Sequence, residues 1–112
     1  MAELTRRHRN GVEVVSILGR IDATTVEDIK DEMLSVAGQR GVRLILDLSD
    51  VDYISSRGLT LLLQVLQSIQ RNDGAMRLVG LQPLVREVLD IAKVAKLFTV
   101  KGSIEEATRS FE

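Results

Sequence analysis

Apolar residues along this chain switch repeatedly between short continuous runs and repeats at three and four, and each switch marks the boundary of a predicted element. The sharpest switch lies between residues 44 and 72. Leu44, Ile45, Leu46 and Leu48 make the run from Arg43 to Leu48 nearly continuous in apolar residues, the pattern of a strand covered on both faces. An acidic turn follows. Leu59, Leu62, Leu66 and Ile69 then line one face of a helix, widened by Leu63 and Val65, while Gln64, Gln67, Gln70 and Arg71 stay outside. Ser55 and Ser56 fall where that helix begins, a place where a hydroxyl is displayed, and Asn72-Asp-Gly74 stops it.

The flanking segments repeat the alternation. Residues 1–10 form a frayed tail or the edge strand of a hairpin that turns at Asn10-Gly11, and Arg6, Arg7, His8 and Arg9 give that edge a positive charge that discourages pairing between sheets. A basic anchor for an anionic partner is the other reading. Val12 to Ile21, rich in β-branched residues, reads as a central strand. Thr24 with Glu27 forms a capping box for a helix bearing Val26, Ile29, Met33 and Val36, closed by Gly38 or Gly41. A third run, Ala75 to Gly80, precedes Pro83, which suits the first turn of a helix running through Leu84, Val88, Ile91 and Ala95 to near Leu97. Phe98 to Val100 is short enough for an edge strand, and Ser103 with Glu106 opens a last helix that buries Ile104, Ala107 and Phe111. Strands alternating with helices give an α/β layered domain of about five strands and about four helices filling residues 1–112.

Composition narrows the function. Fifteen basic residues (Lys+Arg 15) against 16 acidic ones leave a formal charge of -1, which argues against phosphate-backbone binding, and a single Tyr with two Phe and no Trp gives no base-stacking platform. The N-terminus has no apolar signal core and no apolar run is long enough to span a membrane, so the expected setting is the cytoplasm. The absence of cysteine removes thiol catalysis and thiolate metal sites. A serine nucleophile normally needs a base, and the one histidine, His8, is far from Ser55 and Ser56 in sequence. Enzymatic activity is therefore not expected, although a lysine base stays open. Asp47, Asp50 and Asp52 suit a strand end and a turn better than a cation site, and as serines at a helix start Ser55 and Ser56 also have a plain role as caps.

The stretch Leu46-Asp-Leu-Ser-Asp-Val-Asp-Tyr-Ile-Ser-Ser-Arg-Gly-Leu-Thr-Leu-Leu-Leu63 resembles the signature of the STAS family, best known as bacterial anti-sigma factor antagonists, and Leu18-Gly-Arg-Ile-Asp22 resembles that family's Gly-Glu-Leu-Asp strand end. The resemblance covers essentially the whole chain and implies a single STAS-like domain with a mixed sheet. Alignment on Gly58-Leu59 puts Ser56 on the family's phosphorylated serine, with Ser55 as the alternative. It further implies a partner switch. The unphosphorylated protein would sequester an anti-sigma serine kinase of the GHKL type, and a PPM-type phosphatase would reverse the modification. The implied contact surface comprises Asp22, Asp50, Asp52, Tyr53, Ser55, Ser56, Arg57, Gly58 and Thr60, with no metal or cofactor and a monomer or weak dimer. Three positions depart from the pattern: Ser55 replaces an acidic residue, Arg57 a small one, and Thr60 a Gly or Arg. The rival implication is an accessory subunit of a transporter or lipid-transport complex, in which the serines act only as caps.

Overall fold

A computed structural model describes residues 1–112. The strands are β1 (Glu3–Arg9), β2 (Val12–Leu18), β3 (Arg43–Asp50), β4 (Ala75–Val79) and β5 (Val100–Lys101); the helices are α1 (Val26–Ala37), α2 (Ser56–Arg71), α3 (Pro83–Ile91) and α4 (Ile104–Arg109). They form one mixed sheet in the order β1-β2-β3-β4-β5. β1 runs antiparallel to β2, and every later pairing is parallel. The expected α/β architecture is thus present, and residues 3–9 are an edge strand rather than a frayed tail. Asn10 and Gly11, both at positive φ (53° and 78°), make the two-residue hairpin turn.

Period-two alternation splits the strands between two cores of unequal size. Val15, Ile17, Leu44, Leu46, Leu48, Met76 and Leu78 face α1, α2 and α3 in a cluster of 25 buried residues. Val12, Val14, Ile45 and Val79 face the other way, onto Ala107, Ile104 and Phe111 of the C-terminal segment. Most of the apolar burial that drives folding therefore lies on the side of the three longer helices.

Several boundaries differ from those the sequence predicts, each for a local reason. β2 stops at Leu18, because Gly19 takes φ +108 and a Cβ there would lie 2.5 Å from the Met1 carbonyl oxygen. β3 continues two residues past Leu48, to Asp50. α1 is capped at Thr25 rather than Thr24, and no Thr24–Glu27 box forms. α3 ends at Ile91, since Lys93 turns into the left-handed region (φ 61) and only a short 3-10 turn, Ala95–Leu97, follows. Phe98 is buried, and the short strand begins at Val100. The Ser103 cap does form: its Oγ accepts from Glu106 N–H at 3.0 Å, while Glu106 Oε2 accepts from Gly102 N–H at 3.2 Å, one residue before the cap.

Leu62, 1% exposed on α2, fixes that helix to the larger core. Leu62→Ala is expected to lower the unfolding free energy by about 2–5 kcal/mol with an unchanged dependence on urea, as measured by chemical denaturation.

Candidate functional site

The loops after β2, β3 and β4 all leave the carboxyl ends of parallel strands, the edge at which open α/β sheets present their sites. Two of these loops are bonded together. Ile21 forms a parallel bridge with Ile54, in which Ile21 N–H donates to the Tyr53 carbonyl at 2.9 Å and Ser55 N–H donates to the Ile21 carbonyl at 2.8 Å. Gly19 N–H adds a bond to the Asp50 carbonyl at 3.1 Å, and the Gln82 side chain ties in the third loop by donating to the Ser49 carbonyl at 2.7 Å. Ile21 and Ile54 are each 1% exposed and press against the first turn of α2 at Gly58. A Cβ on Gly58 would lie 2.7 Å from Ile21 Cγ2, 2.8 Å from Ile54 Cγ1 and 2.9 Å from the Ile21 carbonyl oxygen. Glycine here serves close approach rather than an unusual backbone angle.

This approach separates the roles of the two serines. Ser55, half-buried and extended (φ -89, ψ 176), is the N-cap: its Oγ accepts from Gly58 N–H at 3.3 Å and its carbonyl accepts from Leu59 N–H at 2.8 Å. Ser56 is the first helical residue and is exposed. Its carbonyl accepts from the Thr60 hydroxyl at 3.0 Å, and its own hydroxyl has no hydrogen-bond partner in the chain. α2 has 16 residues and no acidic side chain in its first turn, so its positive end is left uncompensated beside the exposed Arg57.

Asp22 organises the neighbouring loop. Its carboxylate accepts from Thr24 N–H (2.9 Å) and Thr25 N–H (3.0 Å), and from Arg20 Nε at 3.1 Å. The Thr25 hydroxyl accepts from Asp22 N–H at 2.9 Å and donates to the Arg20 carbonyl at 2.7 Å. The start of α1 is therefore held by an aspartate turn in place of the expected Thr24 box. These bonds, the Thr25 N–H first among them, together outweigh the opposing desolvation and hold the Asp22 pKa below the usual carboxylate range. Arg20 also lies over the Tyr53 ring, 4.7 Å from its centroid. Arg20 was not among the expected surface residues. The only signal for it in the sequence was its place inside Leu18-Gly-Arg-Ile-Asp22, because its contact with Tyr53 spans two elements.

Of the expected residues, Asp22, Tyr53, Ser55, Ser56, Arg57, Gly58 and Thr60 come together on the zipped loops and the first turns of α2. Tyr53 is half-buried, Gly58 is buried, and Arg57 and Thr60 are exposed. Asp50 and Asp52 are exposed at the end of β3 and in the loop beyond it. Asp47 stands apart. It accepts from the Ser16 hydroxyl at 3.3 Å and from Ser49 N–H at 3.0 Å, and the three aspartates do not gather as a set of metal ligands. His8 pairs with Glu13 at 3.1 Å, across the hairpin from the beginning of β2 and thus at the opposite end of the sheet from Ser56. Two serines near the C-terminus are engaged: Ser103 caps α4, and Ser110 Oγ donates to the Ala107 carbonyl at 2.6 Å while accepting from Arg77 Nε at 2.7 Å.

The zipped loops and the start of α2 thus form one continuous edge, on which Ser56 displays an unpartnered hydroxyl in the first turn of the helix. The family profile described as STAS domain matches residues 3–107, and the chain belongs to that family. A protein of Bordetella bronchiseptica, provisionally named anti-sigma factor antagonist BtrV, is 31% identical over 110 residues, covering 98% of this chain and 95% of its own. Among solved structures, an anti-sigma factor antagonist from Mycobacterium paratuberculosis superposes with a TM-score of 0.87 at 24% identity, covering 98% of this chain and 93% of its own. The Bacillus cell fate determinant SpoIIAA in its phosphorylated form superposes with a TM-score of 0.73 at 19% identity, covering 98% and 100%. At these identities the two structures show the shared fold.

Gly58→Ala is expected to force Ile21 and Ile54 away from α2 and cost about 1–3 kcal/mol, readable as a fall in thermal midpoint. The Asp22 turn carries its own pH dependence. Because the folded-state pKa is depressed, the stability it contributes is complete above the ordinary carboxylate pKa and fades as pH falls through the lowered value. Asp22→Asn should remove that acid-side component, as measured by urea titrations across the acidic range.

Proposed function

We propose that residues 1–112 act as one anti-sigma factor antagonist: a cytoplasmic binding module, not an enzyme, that sequesters an anti-sigma serine kinase of the GHKL type until that kinase phosphorylates Ser56. A PPM-type phosphatase resets it. The observation that carries this reading is the difference between adjacent hydroxyls, with Ser55 Oγ held in the cap and Ser56 Oγ exposed and free at the first turn of α2. The name shared by the relatives supports the same reading.

The physical account follows from where the charge would appear. A phosphate on Ser56 brings about -1.5 to -2 charges and three acceptor oxygens, which a helix N-terminus accommodates without unfolding. The fold survives and the surface changes. The exposed Asp50 and Asp52 on the same edge would make that surface strongly negative, so a partner face that is acidic or apolar is repelled. Arg57, exposed next to the phosphate, would neutralise part of it. Asp22, Tyr53 and Thr60 complete the surface that meets the kinase. On the enzymatic side, His8 lies at the other end of the sheet and offers Ser56 no base.

Incubation with the cognate kinase and ATP, followed by phosphopeptide mapping, is expected to place phosphate on Ser56, and Ser56→Ala to abolish it. Phosphate confined to Ser55, Ser103 or Ser110 would overturn the assignment. Ser56→Asp should weaken kinase binding by about 2 kcal/mol, some thirtyfold in Kd by calorimetry, with an unchanged melting temperature.

A further inference from the structure

The β1–β2 hairpin carries positive charge unequally on its two faces. On the side of α1, Arg6 lies 3.9 Å from Glu13 and 3.9 Å from Glu32, and His8 lies 3.1 Å from Glu13. On the other side, Arg7 and Arg9 are cross-strand partners of Val14 and Val12, and both are exposed. Arg43 extends the same patch, since it precedes the Leu44 that pairs with Glu13. Arg109 of α4 faces Arg9 across a groove of about 260 Å³ whose lining includes Val12, Val14, Ile104 and one acid, Glu105. None of Arg7, Arg9, Arg43 and Arg109 makes an ion pair. β1 is also an edge of the sheet, so every second residue turns its backbone N–H and C=O outward.

We propose that the free edge of β1 docks an extended acidic segment of a partner protein by strand addition, with acidic side chains at alternate positions over Arg7 and Arg9. The backbone edge supplies the pairing and the unneutralised arginines supply the register. Alternation is required because the α1-facing cations already have Glu13 and Glu32, leaving attraction for carboxylates on one side of the added strand only. A second copy of this chain is a poorer occupant, since each β1 brings three arginines and a histidine but a single acid, Glu3, to answer them. Arg7 and Arg9 lie toward the hairpin turn, at the opposite end of the sheet from Ser56, so this surface stands or falls independently of the phosphorylation reading.

The test uses the full chain and a fluorescein-labelled peptide, Thr-Glu-Val-Glu-Val-Glu-Thr, acetylated and amidated at its ends. Fluorescence anisotropy is expected to show saturable binding that Arg7→Glu with Arg9→Glu weakens at least about tenfold and Ser56→Asp leaves unchanged. N-methylation of alternate peptide amides should abolish it, and replacing the glutamates with lysine should do the same. Absence of binding to the unmodified chain overturns the proposal. So does binding that survives N-methylation in both registers, which reports charge attraction alone. Equal arginine-dependent binding to phosphatidylserine vesicles or to single-stranded DNA likewise overturns it in favour of a general anionic surface. Circular dichroism of the double variant, expected to match the parent, separates lost binding from lost folding.

Discussion

The contact between Ile21, Ile54 and Gly58 is what the displayed edge of this molecule depends on. Two loops that leave different strands have no reason to keep a fixed relation unless something bonds them, and here two backbone bonds across the Ile21–Ile54 bridge do so. The side chains of the same residues are fully buried and form the floor on which α2 begins. Because the helix has only a glycine at the point of contact, its first turn descends to the loops. Cap, exposed hydroxyl and helix dipole are therefore positioned by a dry contact rather than by surface bonds that water could replace. The larger core beneath, to which α1, α2 and α3 all contribute, resists any local shift by the ordinary cost of opening packed apolar surface.

Adjacent serines at a helix start are forced into unlike roles by geometry. The residue at the N-cap has extended backbone angles and points its oxygen back at the orphan N–H groups of the first turn. The residue after it already has helical angles, so its side chain leaves the axis toward solvent, and nothing in this chain takes up the Ser56 hydroxyl. Ser55 and Ser56 could exchange roles only if the helix began one residue later, which would carry Gly58 off its contact with Ile21 and Ile54. The packing that positions the loop thus also selects which hydroxyl is presented.

The alternation of strands and helices was legible because each element is buried on at least one side and period-two or period-3.6 spacing follows from that burial. Ser55 and Ser56 at the start of α2 were legible for the same reason, reinforced by the resemblance of residues 46–63 to the STAS signature. What escaped was decided by side-chain bonds and backbone turns that hydrophobic spacing does not encode. The Thr24–Glu27 spacing is a good local capping signal, yet Asp22 outcompetes it because its carboxylate reaches both Thr24 N–H and Thr25 N–H while the Thr25 hydroxyl bonds back to Arg20. The stacking of Arg20 on Tyr53 crosses from the β2–α1 loop to the β3–α2 loop, and no periodicity encodes it. The end of α3 was overestimated because Ala92, Val94 and Ala95 continue an apolar pattern past Lys93, whose left-handed backbone breaks the helix.

A switch built on such a scaffold has to work through charge rather than shape. A helix start whose first turn is pinned by a glycine against two buried isoleucines has little freedom to move, and a phosphate there finds a positive helix end already present. The energy available from the added charge then goes into the encounter with a partner. One or two kcal/mol of lost complementarity at an interface changes the dissociation constant about five- to thirtyfold, whereas the same amount set against a core of this size leaves the fold intact. Arg57 sharpens the point. A cation in the first turn reduces the repulsion that a phosphate can generate, so the proposed switch must draw its contrast from the acidic Asp50 and Asp52 on the adjoining loop as much as from the phosphate itself.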